Sequence, residues 1–378
     1  MSIIQSNVTP SAKATDFLGR KHKMLIGSEW VDAGSGETLE VLNPATGAEI
    51  ARIPNGVAAD VDLAVTAARK AFDNSDWSRM RPAQREKLLW RLADLMEQNI
   101  EELAELESID NGKSVIVAQH VDITVAIDFL RYMAGWATKV EGRSIQASVS
   151  YMPDAVLHGY TRREPIGVVG AIIAWNFPLL LAVWKLGPAL ATGCTFVIKP
   201  AQETSLSVLR LGELIQEAGY PDGVVNIVTG EGAVAGDALA KHPGVDKLTF
   251  TGSTEVGKLI GKAAMDNMTR LTLELGGKSP VIVLPDADLA KTAAGVAMGI
   301  FFNSGQVCSA GSRLYVHKKI FDNVVADIAN IAKGMKLGQG IDPSVDLGPL
   351  ISQKQLNRVC DYIDSGISQG ARVVTGGG

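Results

Sequence analysis

Cys308 stands in Phe302-Asn303-Ser304-Gly305-Gln306-Val307-Cys308-Ser309-Ala310-Gly311, among glycines, small residues and an amide. An inert structural thiol is usually packed among larger apolar neighbours. Gly305 and Gly311 let the backbone turn sharply and let a second molecule come close. A thiol on such a loop, at the end of an apolar helix, is a candidate nucleophile, and a small residue filling a tight turn is the alternative. Glu274, in Leu273-Glu274-Leu275-Gly276-Gly277, is one carboxylate in an otherwise apolar strand pattern. Desolvation there would suit it to act as a general base, while a salt-bridged strand residue is the other reading. Asn176, in Trp175-Asn176-Phe177-Pro178, puts an amide at a strand end, where it can donate to a developing oxyanion or cap the next helix. Lys199, in Val197-Ile198-Lys199-Pro200-Ala201-Gln202, is a cation at the carboxyl end of a strand, facing either a ligand or solvent.

Two glycine-rich turns add phosphate chemistry. Phe250-Thr251-Gly252-Ser253 runs from a strand into a helix, whose N-terminal amides favour an anion. Gly230-Glu231-Gly232-Ala233-Val234-Ala235-Gly236 is a second such turn, without the GxGxxG spacing. Each also fits a plain strand-to-helix turn.

The elements that must carry these residues follow from periodicity. After a short strand-rich lead, Val57 to Phe72 and then Leu88 through Leu106 have helical apolar spacing, the second reading as one long helix stopped at Asn111-Gly112. A further helix spans about Val121 to Thr138, and Ile145 to Thr161 reads as a hairpin-like insert suited to subunit contact. From Gly167 onward, short apolar strands alternate with helices: Thr195–Ile198, Val224–Val228 and Lys247–Phe250 are strands, and Ser205–Ala218, Ala233–Lys241 and Thr254–Ala264 are helices. That rhythm predicts a parallel sheet covered on both faces, with ligands beyond the strands' carboxyl ends. After Gly276-Gly277 it restarts with a strand Pro280–Leu284, a helix of about residues 287–302, the Cys308 loop and a strand Arg313–His317.

At 378 residues, with 46% apolar and 20% charged side chains, the chain is of ordinary globular composition and long enough for two or three domains. A net charge of −5 gives no reason to expect nucleic acid or an anionic membrane as partner. Three scattered cysteines without a CxxC pair argue against a disulfide framework or a zinc site and fit a reducing cytosol. Met1 to Asn7 lacks the pattern of a secretory signal, no apolar run reaches membrane-spanning length, and a cytoplasmic location is expected.

Taken in order, Ala174-Trp175-Asn176-Phe177-Pro178, Lys199-Pro200-Ala201, Phe250-Thr251-Gly252-Ser253, Leu273-Glu274-Leu275-Gly276-Gly277-Lys278 and Gly305-Gln306-Val307-Cys308 resemble the aldehyde dehydrogenase superfamily over essentially the whole chain. The resemblance implies an α/β fold: a Rossmann-like NAD(P)-binding domain (residues 1–143 and 162–276), an oligomerisation hairpin (144–161) and an α/β catalytic domain (277–378). It implies that Cys308 attacks an aldehyde carbonyl, that the Asn176 amide and the Cys308 backbone N–H hold the oxyanion, and that Glu274 activates the water that hydrolyses a thioester. Lys199 would hold the adenosine ribose hydroxyls, Gly252 and Ser253 would lie near the pyrophosphate, Trp175 would line the cofactor site, and Gly232 and Ala233 would lie near the adenine. NAD-preferring members often have Glu where this chain has Gln202, with Glu203 next, so NAD is expected and NADP remains open.

Phe177, Leu181, Trp184, Phe302 and Val307 would line an apolar entrance. Succinate-semialdehyde members carry Arg where Trp184 stands, and no acid among these positions meets a quaternary ammonium. The similarity to phenylacetaldehyde dehydrogenases points to an aryl or medium apolar aldehyde. Members that transfer the acyl group to coenzyme A lack the glutamate, so Glu274 favours water. A homodimer or homotetramer is expected. The three terminal glycines after the strand-like Arg372–Thr375, and the absence of the family's later Glu-Phe-Gly-Pro segment, lead us to expect a C-terminally truncated chain that is inactive and poorly assembled alone. A cofactor-independent cysteine esterase is the rival enzyme, though none of the five histidines falls in a partner motif. A fragment that only binds the dinucleotide is the non-catalytic rival.

Overall fold

The computed structural model describes residues 8–377; the N-terminal heptapeptide read above for a signal, and Gly378, lie outside the described residues. Helix α1 (Ala12–Leu18) is followed by two short antiparallel pairs, β1 (Met24–Ile26) with β2 (Glu29–Val31) and β3 (Thr38–Leu42) with β4 (Glu49–Pro54). Helix α2 (Ala58–Asn74) buries Val61, Ala64, Val65, Ala68 and Ala71, one face of its Ala-rich pattern.

The long leucine-spaced helix is in fact two, α3 (Pro82–Gln98) and α4 (Ile100–Asn111). Asn99 breaks it: its backbone leaves helical geometry, and its side-chain amide donates to the Leu95 carbonyl at 2.8 Å. Asparagine competes for backbone groups in this way, a local effect that apolar spacing does not register. Both halves still bury their leucines, Leu89 and Leu92 in α3 and Leu103 and Leu106 in α4. Each fully buried leucine contributes roughly 1.5–3 kcal/mol of transfer free energy. Gly112 stops α4 in the left-handed conformation (φ 90°), where an added Cβ would also meet the rings of Pro44 and Pro349. A three-residue turn α5 (Val115–Val117) passes through a π-turn (Ala118–Ile123) into α6 (Thr124–Trp136), so the expected helix over 121–138 is split at its start.

The insert is an antiparallel pair, β5 (Ser144–Ala147) with β6 (Leu157–Tyr160), and every residue of β5 is exposed. Then come β7 (Val168–Ile172), α7 (Pro178–Thr192), β8 (Thr195–Lys199), α8 (Leu206–Ala218), β9 (Val225–Ile227), α9 (Asp237–Lys241), β10 (Lys247–Gly252), α10 (Thr254–Asp266) and β11 (Arg270–Leu275). The helix expected from Ala233 opens instead as a π-turn, Gly232–Gly236, because the glycines weaken helical closure.

The main sheet has the order β11-β10-β7-β8-β9-β1-β2, with β7 to β11 parallel and β1 antiparallel to β9. This is a mixed α/β fold with a parallel core. The chain moves outward through β8 and β9 on one side of β7 and returns to β10 and β11 on the other, so β7 marks a topological switch point. One core cluster packs α3, α4, α6, α7 and α8 on one side of the sheet, and a second packs α2, α9 and α10 on the other.

A smaller unit follows: β12 (Pro280–Val283), α11 (Leu289–Phe301), β13 (Arg313–Val316), α12 (Phe321–Gly334) and α13 (Gln353–Ser368). Its parallel pair β12–β13 is covered by a small cluster centred on Val283, Val296 and Val324. Arg372–Thr375 is not a strand: Val373 and Val374 are exposed and have no ladder partner among the described residues. β-Branched composition alone does not make a strand without a ladder partner.

Candidate active site

Five of the residues singled out above lie at or beyond the carboxyl ends of parallel strands. Asn176 follows β7, Lys199 ends β8, Gly252 ends β10 with Ser253 next as the N-cap of α10, and Glu274 lies near the end of β11, opposite Thr251. Parallel strands share one direction, so these residues converge on one edge of the sheet, at the crevice flanking β7.

The Asn176 turn is held firmly. Pro178 occupies the first turn of α7, and Phe177, not Asn176, is the N-cap, so the capping alternative for Asn176 is set aside. The Asn176 side-chain amide instead donates to the Gln306 carbonyl at 3.0 Å, two residues before Cys308. An amide NH2 carries two donors, so a second N–H remains for another acceptor. The Asn303 side chain returns the contact, donating to the Asn176 carbonyl at 3.2 Å and to the Gln306 carbonyl at 3.4 Å. Gln306 is buried, and its Oε1 accepts from the Ile351 N–H at 3.0 Å.

The Cys308 loop has a feature absent from the sequence reading. Asn303 (φ 50°), Ser304 (φ 56°) and Gly305 (φ 76°) are three successive residues in the left-handed region. Only the glycine adopts this freely; the other two store strain of order 1–3 kcal/mol each, which the surrounding contacts must hold. The run turns the chain out of α11 and presents Cys308 at the surface, exposed and free of any disulfide. The Cys308 carbonyl accepts from the Gly277 N–H at 3.2 Å, tying the loop to the segment just after Glu274. Asparagine and glycine in Asn303-Ser304-Gly305 were the signal available for this turn.

Glu274 differs from its expectation. It is exposed and makes no ion pair among the described residues, so neither desolvation nor a salt bridge describes it. The reason is topological: β11 is the edge strand of the sheet, laddered to β10. Lys185 is the cation that feels Glu274: burial lowers its pKa to about 8, while the carboxylate opposes that shift. Lys185 Nζ donates to Thr249 Oγ1 at 3.0 Å.

Lys199 is buried, so a solvated surface lysine is set aside. Its Nζ donates to the Pro200 carbonyl at 2.6 Å and the Gly230 carbonyl at 3.1 Å, and its stem lies against Gly236. This joins Lys199 to the turn carrying Gly232 and Ala233, both exposed. Burial lowers the Lys199 pKa to about 8, and Glu203 opposes the shift. Gln202 is half-buried on the same turn. Ser253 caps α10 by accepting from the Val256 N–H at 3.2 Å.

These features suit a dinucleotide. The Lys199 ammonium has a third N–H not spent on the two carbonyls. A Cβ built at Gly232 would meet open space, and the first amides of α10 lack intrahelical acceptors.

Of the apolar entrance residues, Phe177 and Phe302 come together as stacked rings with centroids 6.2 Å apart. Trp184 is exposed and meets Phe129 of α6 edge-on at 6.5 Å, a neighbour that the sequence reading missed. Leu181 is buried in the core beneath, Val307 is half-buried beside Cys308, and Trp175 is half-buried, its carbonyl accepting from Asn111. Three of the five histidines have partners elsewhere: His242 with Asp62, His158 with Ser144, and His22 against the Phe17 ring.

A model of the aldehyde dehydrogenase family matches residues 30–378. A phenylacetaldehyde dehydrogenase of Pseudomonas fluorescens is 50% identical over 367 residues, covering 97% of this chain and 73% of that protein. The NAD+ complex of an aldehyde dehydrogenase from Bacillus cereus superposes with a TM-score of 0.95 at 47% identity, covering 98% of this chain and 74% of that one. PnpE from Pseudomonas sp. WBC-3, in complex with nicotinamide adenine dinucleotide, has a TM-score of 0.91 at 45% identity, covering 95% and 72%. The expectation that the chain by itself is inactive is not borne out by these matches. Among the described residues no helix is long and apolar enough to cross a membrane, and no group of side chains is arranged to hold a metal ion.

Proposed function

The chain belongs to the aldehyde dehydrogenase family, whose members oxidise aldehydes, and on that premise we propose that Cys308 is its nucleophile, Asn176 its oxyanion donor and Glu274 its hydrolytic base. The observation that carries this reading is the hydrogen bond from the Asn176 amide to the Gln306 carbonyl, which sets the donor two residues from the thiol. The Cys308 thiolate adds to the aldehyde carbon, forming a C–S bond as the carbonyl π pair moves to oxygen, which gathers the negative charge. The second Asn176 N–H and the Cys308 backbone N–H stabilise that charge in place.

Lys199, Gly252 and Ser253, with Trp175, Gly232 and Ala233 alongside, would hold a dinucleotide, which when bound would accept the hydride that leaves the former aldehyde carbon. Cys308 is then left as a thioester. The exposed Glu274 takes a proton from water, the hydroxyl adds to the acyl carbon, and the thiolate leaves as the carboxylic acid forms. We propose NAD as the partner, with Glu203 as the carboxylate that disfavours a 2′-phosphate; the neutral Gln202 leaves NADP as a weaker substrate.

The substrate we propose is an aryl or medium apolar aldehyde of the phenylacetaldehyde type. The stacked Phe177 and Phe302 rings, Trp184 and the 50%-identical relative support it. We assign cofactor binding to residues 1–143 and 162–276 and the thiol chemistry to 277–378. Hairpin 144–161, whose strand β5 is exposed throughout, is assigned to a homodimer or homotetramer, because an isolated hairpin is marginal in water. A cytoplasmic location fits the free cysteines.

Absorbance at 340 nm with phenylacetaldehyde, hexanal, betaine aldehyde and succinate semialdehyde, each with NAD and NADP, tests the reading. Phenylacetaldehyde with NAD is expected to have the highest kcat/KM. Ester hydrolysis without any aldehyde-dependent signal would replace it with the esterase.

A further inference from the structure

A set of buried charges lies beneath the Asn176 turn, and the reaction above does not use it. We propose that Lys113 is a positioning residue for the oxyanion site, gripping the Trp175–Phe177 backbone from below so that the Asn176 amide is aimed before substrate arrives. The inference rests on the role assigned to Asn176.

Lys113 follows Gly112 at the end of α4, and its side chain is 0% exposed. Its Nζ donates to the Asn176 carbonyl at 2.7 Å, pairs with Asp122, lies 3.9 Å from Glu107 and sits 4.2 Å from the centroid of the Phe177 ring. Two neighbours on the same helix end hold the flanking positions. Asn111 donates to the Trp175 carbonyl at 2.7 Å, and Glu107 accepts from the Leu179 N–H at 3.3 Å. The turn is therefore fixed at Trp175, Asn176 and Leu179, while its side chain is left to reach the Cys308 loop.

Stability alone is a poor account of such a cluster. Burying an ammonium and carboxylates costs several kcal/mol per ion, and apolar residues of similar volume often do as well. What apolar packing does not supply is a directed donor to one carbonyl. Burial raises both the Glu107 and the Asp122 carboxyls, against the pull of Lys113, and Asp122 is the nearer of the two to the ammonium. The Asn176 carbonyl also accepts from Asn303, so Lys113 and the strained Cys308 loop converge on one oxygen.

A double-mutant cycle tests this in the protein. Lys113→Met is made alone and with Asp122→Asn, the pair being removed together so that no lone carboxylate stays buried. Each is crossed with Asn176→Ala. The readouts are kcat, KM, NAD affinity, thermal midpoint and the rate at which iodoacetamide alkylates Cys308. Alkylation is a displacement that needs no oxyanion donor.

Positioning predicts that the Lys113 changes lower kcat by about tenfold to a hundredfold, within the loss expected for a mis-aimed oxyanion donor. KM, NAD affinity and alkylation stay within about twofold, and in the Asn176→Ala background the same changes cost less than about twofold. Multiplying effects, alkylation falling in parallel with kcat, or a double variant that does not fold would overturn it in favour of a structural role. An Asn176→Ala protein with unchanged kcat would overturn the Asn176 assignment itself, a result that the cycle separates from the others.

Discussion

The Asn176 turn and the Cys308 loop meet through the Gln306 carbonyl, yet they are held by opposite means. The first rests on buried charge and amide groups of α4, with Lys113 and Glu107 wholly out of solvent. The second leaves its thiol exposed and reaches it through three left-handed residues. A donor to a developing charge works best when it is preset and does not reorganise, whereas a nucleophile must be reachable by a substrate and by water. The rigid partner belongs to the large sheet domain, and the strained one to the smaller unit, whose core centres on three valines.

Four perturbations break or sharpen this contrast. The largest is Cys308→Ala, which removes the proposed nucleophile and is expected to lower kcat by on the order of 10⁴-fold or more while NAD affinity, measured by calorimetry, is unchanged. Next, Asn176→Ala is expected to lower kcat by about 10²–10³-fold, with little change in KM, because in the proposed role its second N–H serves the transition state more than the ground state. Steady-state kinetics separates the two parameters.

Gly305→Ala probes the strained side. Its φ of 76° imposes a cost of about 1–2 kcal/mol on any side chain, so the thermal midpoint should fall and the Cys308 loop should loosen. An unchanged midpoint by differential scanning calorimetry would mean that the loop carries no strain.

The smallest effect is a pH dependence at Lys199. Burial lowers its folded pKa to about 8 from the ordinary 10.5. Between those values the unfolded chain holds the extra proton, so this group makes stability rise with pH across that window; the penalty is full below about pH 8. The difference in melting temperature between Lys199→Met and the parent is therefore expected to be more favourable to the variant at pH 7 than at pH 10.

Much of the site could be read from the chain. The strand-to-helix rhythm placed Asn176, Lys199 and Gly252 at strand ends and Glu274 within a strand, because period and strand-end position are local properties of the chain. Other features were not local. Asn99 splits a helix that leucine spacing joined, and Arg372–Thr375 finds no strand partner. Glu274 looked buried because its neighbours are apolar, but its strand lies at the sheet edge. Lys113 gave no signal at all: a lysine after Asn-Gly reads as a solvated helix end, and only packing against Asp122 and Phe177 shows otherwise.

The sequence by itself determined the residue types, their order along the chain and the periodicities that put them at strand ends. The tertiary structure decided which groups touch, which are buried and which way the Cys308 loop turns. The physical reason is that hydrogen bonding to Gln306, desolvation of Lys113 and Lys199, and exposure of Cys308 all depend on atoms far away in sequence, brought close only when α4, β7 and the 303–308 loop pack together.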